Sequence, residues 1–238
     1  MAVANFMKDV IIIPTYNERE NIKQLIPLIF SHVPDNWILV VDDNSPDGTG
    51  EEVGNLQKRF SHLELLSREK KEGLGKAYLQ AFAKVLADEE VRNVTMMDAD
   101  FSHDPADLPE MFRYSKNFGV VTGSRYITGG SVVGWELWRK LLSRGGNFYC
   151  RLITGLPLHD CTSGFNTIQA SQLRKVDFNR ITMFGYAFIF ELKHLLYRQG
   201  ATFKEIPVCY KNRTIGKSKM SGGIIQEGFI APWKIRLR

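Results

Sequence analysis

Long apolar runs are missing from this sequence. The longest, Val10–Pro14 and Trp37–Val41, fall far short of the about 20 residues a membrane-spanning helix needs, so no span is expected. No secretory leader is expected either, because Lys8 and Asp9 interrupt the N-terminal segment before an apolar core develops. Cysteine is scarce: Cys150, Cys161 and Cys209 form an odd set without paired spacing, which argues for reduced thiols in a cytosolic protein. The few histidines (His32, His62, His103, His159 and His194) show no ligand spacing, so a zinc site is not expected, and His103 reads as a surface or packing residue. Gly73-Leu74-Gly75-Lys76 lacks the spacing of a Walker loop, and no Gly-x-Gly-x-x-Gly follows the first apolar run. P-loop phosphoryl transfer and dinucleotide oxidoreduction are therefore poorly supported. Repeats, low-complexity stretches and linkers are absent too.

What is present is a globular composition, with 44% of 238 residues hydrophobic and 24% charged, sized for a single domain. The net charge of +5 conceals two opposite halves. Residues 1–124 hold 13 basic and 20 acidic side chains, a balance of −7, whereas residues 125–238 hold 18 and 6, a balance of +12. Such asymmetry suits an anionic partner for the second half: nucleic acid, a membrane surface or a phosphorylated substrate. Two oppositely charged surfaces facing each other would give the same count.

Short apolar runs alternate with amphipathic segments through the first half. Val10–Ile13, Trp37–Val41, Leu63–Leu66, Val94–Met97 and Val120–Gly123 read as strands, most of them buried. Asn17 followed by Glu20 predicts a capping box opening a helix with Ile22, Leu25, Ile26 and Ile29 on its inner face. A second helix is predicted from Gly73-Leu74-Gly75, with Tyr78, Ala81, Phe82 and Val85 inward. A third is predicted from Asp104-Pro105, with Leu108, Met111 and Phe112 inward. This alternation predicts an α/β fold with a mostly parallel central sheet and helices on both faces. Ligands of such sheets bind at the carboxyl ends of the strands, where the loops richest in polar residues fall.

Asp98-Ala99-Asp100 follows the fourth predicted strand. Carboxylates two residues apart on extended backbone share a side and can reach one hard cation, Mg²⁺ or Mn²⁺, together with substrate phosphates. A pair of turn and cap aspartates would look the same. Asp42-Asp43, at the end of another strand, makes four acidic groups on one sheet edge, which repel unless a cation or sugar hydroxyls engage them.

The motifs Ile13-Pro-Thr-Tyr-Asn-Glu-Arg-Glu-Asn21, Val41-Asp-Asp-Asn-Ser-Pro-Asp-Gly48, Glu69-Lys-Lys-Glu-Gly-Leu-Gly-Lys-Ala-Tyr78, Met97-Asp-Ala-Asp-Phe-Ser-His103 and Gly123-Ser-Arg-Tyr126, in this order, resemble family 2 inverting glycosyltransferases of the GT-A (Rossmann-like) fold. More narrowly they resemble the polyprenol-phosphate (dolichol-phosphate) mannosyltransferases, from about Val10 to Gly223. The resemblance implies one catalytic domain over 1–238, with a nucleotide-sugar and metal half (1–124) and an acceptor half (125–238) ending in a basic, membrane-proximal segment. It implies a donor site of Pro14, Tyr16, Glu18, Val40, Asp42, Asp98, Ala99, Asp100 and Arg125, and a metal held by Asp98 and Asp100. Some relatives have Gln two residues after the second aspartate as a further ligand; this chain has Ser102.

In the basic half, Trp135–Ile153 reads as an amphipathic helix with Trp135, Leu141, Leu142, Phe148, Tyr149 and Leu152 on one face. Lys140, Arg144 and Arg151 gather on the other, and Arg139 and Ser143 sit four apart on the flank, able to contact one anion. By pattern alone this is equally a core helix with a solvated basic edge. The resemblance implies that Arg139 and Ser143 hold the acceptor phosphate, and that Arg213 and Lys219, in a glycine-rich loop, grip the donor diphosphate. Trp233–Arg238 alternates apolar and basic residues after Pro232, as an edge strand or as a segment lying on an anionic leaflet.

The resulting expectation is transfer of mannose from GDP-mannose to polyprenyl (dolichyl) phosphate, peripheral on the cytosolic face of a membrane, with a small membrane-anchoring partner in some relatives. Asp98, Asp100, Arg125 and Arg139 would carry the chemistry. Asp160 is the nearest candidate for a general base, or else structural. The alternatives are the same fold with glucose, an N-acetyl sugar or an amino sugar, or with a glycan acceptor. A nucleic-acid module is disfavoured, because the strand ends are acidic and aromatic residues do not alternate with basic ones.

Overall fold

The computed structural model describes residues 7–185, 187–212 and 222–237. In chain order the elements are β1 (Lys8–Thr15), α1 (Arg19–His32), β2 (Trp37–Asp42), α2 (Thr49–Gln57), β3 (Leu63–Ser67), α3 (Leu74–Val85), β4 (Val91–Met96), α4 (Leu108–Ser115), β5 (Val120–Ser124), β6 (Ser131–Val133), α5 (Leu137–Thr154), β7 (Asn166–Gln169), α6 (Ala170–Leu173), α7 (Ala187–Arg198), β8 (Phe203–Pro207), β9 (Cys209–Lys211) and α8 (Gly222–Arg236). Two 3₁₀ turns, Pro105–Asp107 and Phe178–Arg180, precede α4 and α7.

Seven strands form one sheet in the order β3-β2-β1-β4-β7-β5-β8, parallel except for β7, which runs antiparallel to both β4 and β5. The predicted mostly parallel sheet is therefore present. Strands of the basic half are woven into it, since β7 and β8 flank β5. Because alternate strand residues face opposite sides, β1 feeds two cores. Ile11 and Ile13 pack with Ile22, Leu25, Ile26 and Ile29 of α1, while Val10 and Ile12 pack with Tyr78, Ala81 and Phe82 of α3. A third cluster joins Cys150, Leu156, Leu158 and Cys161 to Ala187 and Phe190 of α7 and to Ala231 and Ile235 of α8.

One sequence expectation is corrected, the predicted opening of α3 at Gly73-Leu74-Gly75 is present, and two readings left open are resolved. The Asn17–Glu20 capping box does not form: Asn17 is left-handed (φ 60°) and α1 has no side-chain cap of its own. Its entry is held by the loop after β2, whose Thr49 Oγ1 and Asp47 Oδ2 accept from the Glu18 and Arg19 N–H groups at 3.0 and 3.1 Å. Gly73 and Gly75 serve packing, for a Cβ on either would come within 3.0 Å of Phe184 backbone atoms, and Gly73 has φ 100°. The apolar face of α5 is not core. Leu137, Trp138, Leu141, Phe148 and Leu152 are each more than half exposed, and the helix packs inward through Asn147, Cys150 and Thr154. The C-terminal segment is helical rather than an edge strand. Ala231 and Ile235, four apart, bury on one side of α8, while Phe229, Trp233 and Leu237 stay exposed on another.

Candidate functional site

The strand ends bring the predicted acidic residues to one edge, and local chemistry then sorts them into two kinds. Asp42 ends β2 opposite Thr15 and is almost fully buried. It accepts from Thr15 Oγ1 (2.9 Å), Ser45 Oγ (2.6 Å) and Ser45 N–H (3.0 Å), so it holds the β2 loop closed. Asp43 is paired with buried Arg68, whose Nε also donates to Gln80 Oε1 at 2.8 Å. Neighbouring Lys71 lies 3.9 Å above the Tyr16 ring. Pro14, Tyr16 and Glu18 are half-buried along this wall, whereas Val40 is completely enclosed in the core and presents no surface to a ligand. Two of the four carboxylates on this edge are thus engaged by Thr15, Ser45 and Arg68.

Asp98 and Asp100 are the other two, in the loop after β4. Asp100 is buried with its Oδ1 accepting the Ser102 N–H at 3.1 Å, and the Asp98 side chain is about a third exposed. Among the described residues no group of three or more His, Cys, Asp or Glu side chains could hold a metal. Two carboxylates are a fitting donor set for a hard cation that takes its remaining oxygens from a diphosphate and water. His103 is not available as a ligand through Nδ1, which accepts the Asp98 N–H at 3.1 Å, while its ring stacks on Phe165 with centroids 4.8 Å apart. Burial pushes the His103 pKa down despite the charges of Asp98 and Asp100, which keeps it neutral. Its packing role agrees with the sequence reading. Tyr210 faces the same carboxylates: burial, then Asp98 and Asp100, raise its pKa.

Across Tyr210 stands Arg125, at the end of β5. Asp160 grips it with both carboxylate oxygens, and the Arg125 guanidinium lies 5.2, 5.4 and 5.7 Å from the rings of Tyr126, Tyr210 and Trp135. Burial opposes the guanidinium's charge, but Asp160 outweighs it and holds Arg125 protonated. Arg139 lies over the same indole, 4.1 Å from its centroid. Ser143 accepts from the Tyr126 hydroxyl at 2.7 Å. The sequence-predicted Arg125, Arg139 and Ser143 are therefore brought together, with Trp135 and Tyr126 between them. Asp160 is fully buried and bound to Arg125, so it is a counterion rather than a base open to substrate. Beneath it, the buried Lys193 ammonium donates to the Asp160 and Ser163 carbonyls at 3.3 and 2.9 Å, and burial pushes its pKa down to about 8. Arg213 and Lys219 lie outside the described residues.

Sequence reasoning missed Trp135 and Tyr210 as site residues. Tyr126 carried a signal, its place beside Arg125. Tyr210 carried none, because β9 reaches the site only by pairing with β6.

Comparison with known proteins identifies the family. Residues 10–177 match the family model described as "Glycosyl transferase family 2". The chain is 37% identical over 224 residues to "Undecaprenyl-phosphate mannosyltransferase" of Micrococcus luteus, covering 94% of this chain and 92% of that one. It is 36% identical over 239 residues to "Polyprenol monophosphomannose synthase" of Mycolicibacterium smegmatis, covering 97% and 88%. Among solved structures it resembles a mannosyltransferase from Pyrobaculum calidifontis in complex with GDP-Man and Mn²⁺, with TM-score 0.66 and 15% identity over 97% of this chain and 64% of that one. At that identity the likeness speaks for the fold, a GT-A sheet.

Proposed function

Since the chain belongs to glycosyl transferase family 2 and is a glycosyltransferase, we propose that it transfers mannose from GDP-mannose to a polyprenyl monophosphate, with inversion at the anomeric carbon. The observation that carries the acceptor assignment is the setting of Arg139. Its guanidinium shares the Trp135 indole with Arg125, and it sits on α5, the helix that leaves Leu137, Trp138, Leu141, Phe148 and Leu152 in solvent. Cations bordering an uncovered apolar face suit a molecule that is phosphate at one end and hydrocarbon at the other.

The donor is assigned to the wall of Pro14, Tyr16, Glu18 and Asp42 and to Asp98, Ala99 and Asp100, with Val40 supporting from the core. Asp98 and Asp100 would hold the metal, Mg²⁺ or Mn²⁺, which when bound supplies Lewis-acid stabilisation of the leaving diphosphate. Arg213 and Lys219 are assigned to the same diphosphate by sequence. Arg125, Arg139 and Ser143 orient the acceptor phosphate for near in-line attack. With a second pKa of about 6, a phosphate monoester is largely dianionic at neutral pH and attacks without a strong base. That suits a site whose Asp160 is spent on Arg125. A hydroxyl acceptor would need a base that this cluster does not offer.

The exposed faces of α5 and α8 meet through Tyr149, whose hydroxyl donates to the Phe229 carbonyl at 3.0 Å and accepts from Trp233 Nε1 at 2.9 Å. No helix among the described residues is long and apolar enough to cross a membrane. We assign this joint face to peripheral contact with the cytosolic leaflet, or with a small membrane-anchoring partner. A panel of radiolabelled sugar nucleotides incubated with polyprenyl phosphate and Mg²⁺ or Mn²⁺, scored for label in the lipid phase, tests the whole reading. Label from GDP-mannose is expected, and no transfer from any donor would overturn it.

A further inference from the structure

A second basic cluster lies away from the site just described, in a cleft between the Phe178–Arg180 turn, α7 and α8. Arg180, Arg198 and Arg236 stand at its rim, and His194, Leu195 and Ile235 line it below. Several arginines elsewhere in this protein find carboxylates, as Arg19, Arg68, Arg92, Arg113, Arg125 and Arg174 do. None of the three rim arginines has an acidic partner within ion-pair distance among the described residues. Glu191 also lines the cleft, but its oxygens accept from the Thr182 and Met183 N–H groups at 3.0 and 2.9 Å and from the Thr182 hydroxyl at 3.2 Å.

An independent observation comes from His194. Its side chain is 5% exposed, and its buried Nδ1 has no hydrogen-bond partner. A buried polar atom without a partner is costly, and a ligand carrying acceptor oxygens would relieve it. Burial, then Arg198, Arg236 and Arg180, push the His194 pKa down to about 4, so all three cations are felt at this one ring. An anion entering the cleft would meet three cationic side chains against the single carboxylate of Glu191. Forked guanidinium donors suit the several oxygens of a phosphate.

We propose that the cleft formed by Arg180, His194, Arg198 and Arg236 binds a phosphate group, separate from the catalytic centre. Its position favours a phospholipid headgroup as the source. Arg236 lies three residues from Trp233 on α8, on the border between the buried side of that helix and the exposed stripe of Phe229, Trp233 and Leu237. A headgroup held there would set the height and tilt of the enzyme on an anionic leaflet. The headgroup assignment rests on the membrane-bound reading above, whereas the anion chemistry of the cleft does not.

The test uses the full chain with ¹⁵N-labelled histidine, the His194 ring signals being assigned with His194→Gln. Inorganic phosphate and soluble short-chain phosphatidylglycerol are titrated separately. Movement of the His194 signals with the lipid alone supports a headgroup site, and movement with inorganic phosphate supports a site for soluble phosphate compounds. Movement with neither overturns the proposal. In parallel, flotation with phosphatidylcholine vesicles, with and without phosphatidylglycerol, compares wild type with Arg180→Gln/Arg198→Gln, Arg236→Gln and Lys234→Gln. Basic residues near a leaflet predict roughly 10- to 30-fold weaker binding for the double variant. Arg236→Gln should lose clearly more than Lys234→Gln, which removes the same charge from α8 outside the cleft. Equal losses would mean diffuse attraction only and would also sink the proposal. Sugar transfer to a short soluble acceptor should be unchanged in all these variants, so failure of the cleft and failure of the transferase reading give different results.

Discussion

Asp160 accepts three hydrogen bonds from Arg125, one from its backbone N–H at 3.0 Å and one each from Nε and Nη2 at 2.7 Å. This fixes the guanidinium in position as well as in charge, in a pocket walled by Tyr126, Trp135 and Tyr210. It also separates two roles that a carboxylate near an active site can have. A general base gives up roughly 10²–10⁴-fold in rate when removed, and its loss changes the pH–rate profile. A residue that positions an arginine acts instead on the binding of whatever that arginine holds. Asp160→Asn is therefore expected to raise KM for polyprenyl phosphate more than it lowers kcat, and to leave the shape of the pH–rate profile unchanged. Steady-state kinetics across pH, with Asp100→Asn for comparison, decide this; a flattened acidic limb would restore Asp160 as a base.

The same pair makes a stability prediction. Burial pushes the Asp160 pKa up, but Arg125 outweighs it and leaves the carboxyl below its ordinary 3.8. A carboxyl with a depressed folded pKa contributes stability above its unfolded pKa and loses it as pH falls through the folded value. Breaking a buried ion pair typically costs about 3–5 kcal/mol. Asp160→Ala should therefore be destabilised at pH 7 and converge on wild type well below pH 3.8, as read from urea unfolding at several pH values.

Lys193 has the opposite sense. Its folded pKa of about 8 lies below the ordinary 10.5, so the unfolded chain holds more protons across that interval. Stability from this group rises as pH climbs from 8 towards 10.5, and is lost as pH falls through 8. The buried thiols Cys150 and Cys161, raised by burial, work against this at high pH, so the informative quantity is a difference. Subtracting the unfolding free energy of Lys193→Met from that of wild type should leave a positive slope between about pH 8 and 9. A flat difference would mean that Lys193 is solvated in the folded state.

Asp98 and Asp100 share the loop after β4, whereas Asp42 and Asp43 are tied to groups on other elements. Asp43 is matched by Arg68 and Asp42 by Thr15 and Ser45. Mn²⁺ titrations in the presence of GDP, followed by electron paramagnetic resonance, should show the contrast. Asp98→Asn and Asp100→Asn are expected to weaken binding by more than the roughly 10–100-fold typical of losing an outer-shell partner. Asp43→Asn should leave Mn²⁺ affinity unchanged while lowering Tm, because Arg68 is left buried without its partner. Equal weakening in all three would mean that the acidic edge acts as one diffuse field.

Much of this was legible in the residues, for reasons that also explain where legibility ends. Val10–Ile13 and Trp37–Val41 could be placed because a buried parallel strand is written as a continuous apolar run. Arg139 and Ser143 could be paired because four residues make one helical turn. The Arg125–Asp160 bond and the meeting of Tyr210 with Arg125 depend on β7, β8 and β9, short strands whose partners lie far along the chain. No local pattern encodes such pairings. The start of α1 departs from its local pattern for a related reason. Asn17 and Glu20 have capping-box spacing, yet the N–H groups there are taken by Asp47 and Thr49 from another loop. On α5, periodicity gave the apolar face correctly but not what covers it, since a core face and a lipid-facing one have the same spacing.

That ambiguity on α5 can be resolved by substitution. Leu141 and Phe148 are 63% and 68% exposed, whereas Leu25 on α1 is fully enclosed. Removing a buried leucine side chain costs about 2–5 kcal/mol, while exposed substitutions stay within about 0.5 kcal/mol. Leu25→Ala should therefore lower Tm by many degrees, and Leu141→Ser and Phe148→Ser should hardly move it. Binding reverses the order. Burying each exposed side chain in the leaflet is worth roughly 1.5–3 kcal/mol, so each serine variant should partition onto vesicles of phosphatidylcholine and phosphatidylglycerol at least about tenfold more weakly. Flotation and thermal unfolding on the same preparations give both quantities. If Leu141→Ser and Phe148→Ser unfold as early as Leu25→Ala, the face is covered by protein in solution; if they float as well as wild type, it does not touch the membrane.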